Sequence, residues 1–98
     1  MENEAGIALR LLGEEELAQS RFEPAEHYLQ ESLALLKKLG ETYQVARTEL
    51  ALARLACGQR PMAAGSAHLA ACEPVFARLE AAPDLADLRR LSAELAAH

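Results

Sequence analysis

LRLLGEEELAQSRFEPAEHYLQESLALLKKLG, from Leu9 to Gly40, reads as two amphipathic helices folded back on each other. Upstream of the turn at Arg21 and Phe22, the apolar row Ala5, Ala8, Leu9, Leu12 and a second row, Ile7, Leu11, Ala18, predict a first helix over residues 4–19. Two rows on one helix imply neighbours on both sides. Downstream, Pro24 suits the first position of a helix, where its missing N–H costs nothing. Ala25, Leu29, Ser32, Leu33 and Leu36 recur at 3.6-residue spacing, which predicts a second helix from Pro24 to Leu39. Lys37 and Lys38 place positive charge in its last turn, and Gly40 supplies a residue free to adopt the left-handed conformation that ends a helix.

The same grammar continues downstream. Thr42 to Cys57 carries one row of Ala46, Leu50, Ala53 and Cys57 and another of Val45, Leu52 and Ala56, so a third helix is again expected to be an inner one. Gly58 ends it and Gln59-Arg60 lead into Pro61. A fourth helix is predicted from Pro61 to Ala81 with the stripe Leu69, Cys72, Phe76, Leu79. Pro74 inside it removes a hydrogen bond to the Ala70 carbonyl, so a kink or a break is expected there. After Ala82-Pro83, Leu85, Leu88, Leu91, Ser92 and Leu95 mark a fifth helix over residues 84–97, with a charged opposite face suited to the end of a stack. The pattern also repeats. Leu12-Gly13, Leu17 and Ser20 match Leu50-Ala51, Leu55 and Gly58 in that order and at one constant spacing. Leu39 answers Leu79, a spacing two positions longer. The class is all-α, in one domain of 98 residues.

The chain Leu12, Gly13, Phe22, Ala25, Leu29, Ser32 resembles a tetratricopeptide repeat of the longer-period kind common in bacterial regulatory proteins, and Leu50, Ala51, Gly58, Ala63 and Ala70 resemble a second unit. The family's early Trp is replaced by Leu9 and Arg47, and its late Pro by Lys37 and Val75. The resemblance covers residues 5–97. It implies a right-handed superhelical stack of antiparallel helix pairs, with repeat one over 5–40, repeat two over 42–81 and a capping helix over 84–97. It also implies a module that holds a partner protein's peptide or helix in a concave groove. Carried over residue by residue, that groove is lined by Ile7, Arg10, Leu11, Glu14, Thr48, Glu49 and Leu52. Glu14, Thr48 and Glu49 do not fit the Lys/Asn pattern with which one subfamily grips chaperone tails, so that ligand is not implied.

Composition narrows the remaining classes. The net charge of −5 resides wholly in residues 1–49, and no basic stripe exists to neutralise a phosphate backbone, which argues against nucleic acid. No apolar run is long enough for a membrane span, and MENEAG does not open a secretory signal, so a cytoplasmic protein is expected. Cys57 and Cys72 read as reduced, buried thiols. Neither they nor His27, His68 and His98 show the close spacing of a zinc site, and no phosphate loop or nucleophile motif is present. No cofactor and no catalysis are therefore expected. Two functional expectations stand. One is a peptide- or helix-binding module within a larger bacterial regulatory or scaffold protein, MENEAG reading as an arbitrary cut. The other is a structural, self-associating segment of a longer array, with a homodimer through helix 1 covering Ile7, Leu11 and Ala18.

Overall fold

In the computed structural model, which describes residues 2–59 and 62–96, five α-helices follow one another: α1 (Glu2–Ala18), α2 (Phe22–Lys38), α3 (Thr42–Gln59), α4 (Met62–Arg78) and α5 (Ala82–Ala96). No strand occurs among the described residues. The expected helix start at Pro61 lies outside them, as does the side chain of Ala63.

The described turns are built alike. Ser20, Gly40 and Glu80 adopt positive φ (59°, 71° and 54°) just past the ends of α1, α2 and α4. At each, the backbone N–H of the following residue donates to a carbonyl five residues back: Arg21 to Glu16, Glu41 to Leu36 and Ala81 to Phe76, at 2.9–3.0 Å. The N–H of Ser20, Gly40 and Glu80 itself donates three residues back, to Leu17, Lys37 and Ala77. This paired closure satisfies carbonyls the helix end leaves over. Gly40 takes it without a Cβ penalty; Ser20 and Glu80 hold it with one. Gly40 and Glu80 close successive hairpins at the same point of the turn, so the interval from one to the other is the structural repeat.

The helices pack in succession, α1 on α2, α2 on α3, α3 on α4 and α4 on α5, with α3 also touching α1 and α5; among the described residues, α2 and α4 share no contact. Two cores result. Ala25, Leu29 and Leu33 of α2 meet Ala51, Leu52 and Leu55 of α3. Ala46, Leu50 and Ala53 of α3 meet Leu69, Cys72 and Phe76 of α4 and Leu88, Leu91 and Leu95 of α5. Helix α3 is buried on two sides as expected, but the row facing α2 is Ala51, Leu52 and Leu55, while Val45 and Cys57, expected in the buried rows, are half-buried.

Helix α1 departs from its expected faces. Ala5, Ala8, Leu11 and Leu12 are exposed, and the buried positions are Gly6, Arg10 and Gly13. A Cβ on Gly6 would lie 2.6 Å from Leu36 Cδ2, and one on Gly13 would lie 2.7 Å from Leu29 Cγ. A glycine stripe lets α2 approach so closely that its leucines fill the space, a contact no search for apolar rows would find. Helix α2 also begins two residues earlier than expected, at Phe22, whose ring sits where a Cβ on Gly58 would be, 2.7 Å from Cε1. Pro24 still falls in the first turn, where its missing donor is harmless. Helix α4 runs through Pro74 without a break and ends at Arg78, leaving Leu79 half exposed instead of buried. In α5, Asp84 joins Leu88, Leu91 and Leu95 on the buried face.

Candidate functional site

The interval from Gly40 to Glu80 corrects the register of the first helices. Gly6 opposite Leu36 and Gly13 opposite Leu29 correspond to Ala46 and Ala53 in the core with Phe76 and Leu69. Gly13 therefore answers Ala53, and the spacing that paired it with Ala51 is a slip of two. The groove residues expected on α3 inherit that slip. Thr48, Glu49 and Leu52 are all buried. Thr48 Oγ1 donates to the Gln44 carbonyl at 2.9 Å and lies 3.3 Å from Ser32 Oγ, which donates to the Gly6 carbonyl at 2.7 Å. This hydroxyl pair stitches α1, α2 and α3 together. Glu49 faces the other way and pairs with Nδ1 of His68 on α4. Leu52 packs against α2.

In the corrected register, Ile7 and Glu14 of α1 correspond to Arg47 and Arg54 of α3 and to Asp87 and Glu94 of α5. Polar contacts run along these helices, and one of them, Arg54 to Asp87, joins two of these positions. Arg10 donates to Glu14 at 3.3 Å and to the Gln44 side chain at 3.1 Å, linking α1 to α3. Its own Nε, buried, has no hydrogen-bond partner. Arg47 lies 3.8 Å from Asp84, which accepts from the Tyr43 hydroxyl at 2.6 Å. Partial burial works against the Arg47 charge, yet the Tyr43 hydrogen bond and the fields of Asp84 and Glu14 hold its pKa above the ordinary arginine value. Arg54 reaches Asp87 at 3.4 Å, and Arg90 reaches the other oxygen of the same carboxylate at 3.1 Å. Of the expected groove residues, Arg10 and Glu14 belong to this face, Ile7 is half-buried, and Leu11 is 54 % exposed on α1.

Between α3 and α5 the face opens into a cleft of about 270 Å³, lined by Arg54, Cys57, Asp87, Arg90, Leu91 and Glu94. Leu91 offers apolar contact, and the guanidinium groups present donors in a fork that matches planar acceptors such as carboxylates and peptide carbonyls. Another cleft, of about 350 Å³, lies between α4 and α5, lined in part by Leu69, Leu88 and Leu95. Asp84 and Asp87, which organise the α3–α5 face, carry no signal in the apolar periodicity; their position beside Pro83 reads only as a helix start.

Both cysteines are free thiols. Burial pushes the Cys72 thiol up to about 11, and burial with the charge of Glu94 raises Cys57. The thiolate is the reactive form, so Cys72 is expected to resist iodoacetamide at pH 8 in the native state and react once urea exposes it; mass spectrometry of the labelled peptide checks this. Because the fold favours the neutral thiol, its contribution is fully present below the unfolded value of about 8.5. It is lost as pH rises towards about 11. No group of three His, Cys, Asp or Glu among the described residues is arranged to hold a metal ion. No described helix is long and apolar enough to cross a membrane.

Comparison with protein-family models, with curated proteins and with solved structures finds no match to this chain.

Proposed function

We propose that the five helices form a right-handed stack of tetratricopeptide type that acts as a protein-interaction module, taking an extended peptide or a helix of a partner protein across α1, α3 and α5. The observation that carries this reading is the α3–α5 cleft, where Arg54 and Arg90 flank Asp87 over the apolar floor of Leu91. Further support comes from the packing order, in which the first helices of successive hairpins touch while α2 and α4, among the described residues, do not. Partner carboxylates and main-chain carbonyls would compete with Asp87 for the two guanidinium groups, and an apolar anchor would rest on Leu91. In this reading the chain belongs to a cytoplasmic bacterial scaffold, and catalysis has no part in it.

The test is a displayed-peptide library selected on the 98-residue chain, with binders measured against Arg54→Glu/Arg90→Glu. Selected peptides are expected to share an acidic residue near an apolar one and to lose affinity by tenfold or more on the double variant, as loss of a charge-assisted contact at about 1.4 kcal/mol per decade requires. Peptides that bind the variant equally well would remove the cleft from the function.

A further inference from the structure

We propose that the cleft between α4 and α5 is a further docking site, which takes an aliphatic side chain of a partner protein with a lysine or arginine close beside it. The cleft measures about 350 Å³ and has a floor of Leu69, Leu88 and Leu95. Its lining shares no residue with the α3–α5 cleft, so this inference stands apart from the peptide-binding reading. The internal repetition of the fold shows what the space is shaped for. The interval from Gly40 to Glu80 sets α2 against α4 and α3 against α5. In that register, each buried residue of α2 and each residue of the α3 row facing α2 meets a buried counterpart, with two exceptions. Leu33 is answered by Glu73 and Leu52 by Ser92. The two leucines are 9 % and 2 % exposed, whereas Glu73 and Ser92 are both exposed, and both line the cleft.

The cleft is thus the place where one repeat keeps two leucines and the next leaves their space open over the same leucine floor. Position at the end of the stack does not account for it. The cluster that holds Leu33 and Leu52 draws on α1, α2 and α3, and the counterparts of these helices, α3, α4 and α5, are all present. The open space therefore has the shape of an aliphatic side chain, and a partner can supply one from outside. Charge names the neighbour of that side chain. Glu73 is the one charged residue of the lining, and among the described residues no cation lies within ion-pair distance of it. A base placed next to the aliphatic anchor would meet this carboxylate at the mouth, and the hydroxyl of Ser92 adds a donor and an acceptor on the facing helix. An amphipathic helix with leucine and lysine one turn apart presents both groups on one face.

The experiment uses Ser92→Leu, which restores the leucine of the preceding repeat and fills the cleft, and Glu73→Lys, which keeps its shape and reverses its charge. Both substitutions are at exposed positions, and circular dichroism checks that each variant is helical. A displayed-peptide library is first depleted on Ser92→Leu, whose α3–α5 cleft is intact, and then selected on the wild-type chain. The selected peptides are expected to carry leucine or isoleucine within one helical turn of lysine or arginine. Their affinity is expected to fall about tenfold or more on Ser92→Leu, the cost of leaving an aliphatic anchor in water, and roughly fivefold on Glu73→Lys. Arg54→Glu/Arg90→Glu should bind them as the wild type does, which separates this site from the inner face. Ser92→Leu is also expected to raise the urea midpoint, because the new leucine enters a position that the repeat assigns to the core. A lowered midpoint, a selection that yields no peptide, or peptides without a base would each overturn the proposal. So would a wild-type mass that rises with concentration and a Ser92→Leu mass that does not, since the occupant would then be a second copy of the chain.

Discussion

Phe76→Ala is expected to lower the unfolding free energy by about 3–5 kcal/mol, the usual cost of emptying an aromatic site in a packed core. Phe76 is the largest fully buried side chain among the described residues. It sits where α3, α4 and α5 converge, and its ring meets Tyr43 edge-on at 6.0 Å and 72°. Through Tyr43 it also supports the hydroxyl that donates to buried Asp84, so a collapse of the cavity would disturb a polar tie between α3 and the start of α5. A domain of 98 residues has on the order of 5–15 kcal/mol of total stability, so the loss removes a large share of it. Urea denaturation followed by circular dichroism measures the change, and hydrogen exchange locates it. Protection is expected to fall first in α4 and α5. The separate core of Ala25, Leu29, Leu33 and Leu52 keeps α2 attached to α3 for longer. A loss below about 1 kcal/mol with an unchanged m-value would mean that the C-terminal end is not organised around this ring.

How much of this architecture was legible follows from what kind of contact each element makes. Helix α2 is apolar towards the core and charged outside, and its five buried residues are the five that 3.6-residue spacing selects. Helix α3 announces its central place through two apolar rows. Helix α1 misleads because its interface is made by absence: Gly6 and Gly13 contribute no side chain, so the apolar residues that draw the eye, Leu11 and Leu12, are those left outside. The candidate site suffered from a related ambiguity. Leu12-Gly13 and Leu50-Ala51 look alike as dipeptides, yet Gly13 opposes Leu29 while its counterpart is Ala53. A shift of two positions rotates a helix by about 200° and exchanges surface for core, which is why Thr48 and Leu52, placed on an open face by the dipeptide match, are buried. Arg54 and Asp87 come together across 33 positions, a pairing that tertiary packing alone can specify.

The glycine contact carries the other large expected effect. Gly13→Ala is expected to destabilise the chain although alanine is the better helix former by about 1 kcal/mol. The added Cβ would lie 2.7 Å from Leu29 Cγ, 2.8 Å from its Cδ2 and 3.2 Å from the Ala25 carbonyl oxygen. Leu29 is fully buried against Ala25, Leu33, Ala51, Leu52 and Leu55, so relief of the overlap requires α1 to move off α2. Overpacking of this kind costs about 1–3 kcal/mol, and Gly13→Leu lies at or above the upper end. Gly40→Ala is the contrasting case: nothing stands within 4 Å of its would-be Cβ, so its loss comes from the positive φ alone, about 1 kcal/mol. A double-mutant cycle separates steric overlap from any change in helix propensity. If the clash with Leu29 is the cause, Leu29→Ala should cost less in the Gly13→Ala background than in the wild type, with a coupling of about 1 kcal/mol or more. Additive effects, or a Gly13→Ala protein more stable than wild type, would show that α1 does not rest on α2 through its glycines. The register of the entire first hairpin would then have to be drawn again.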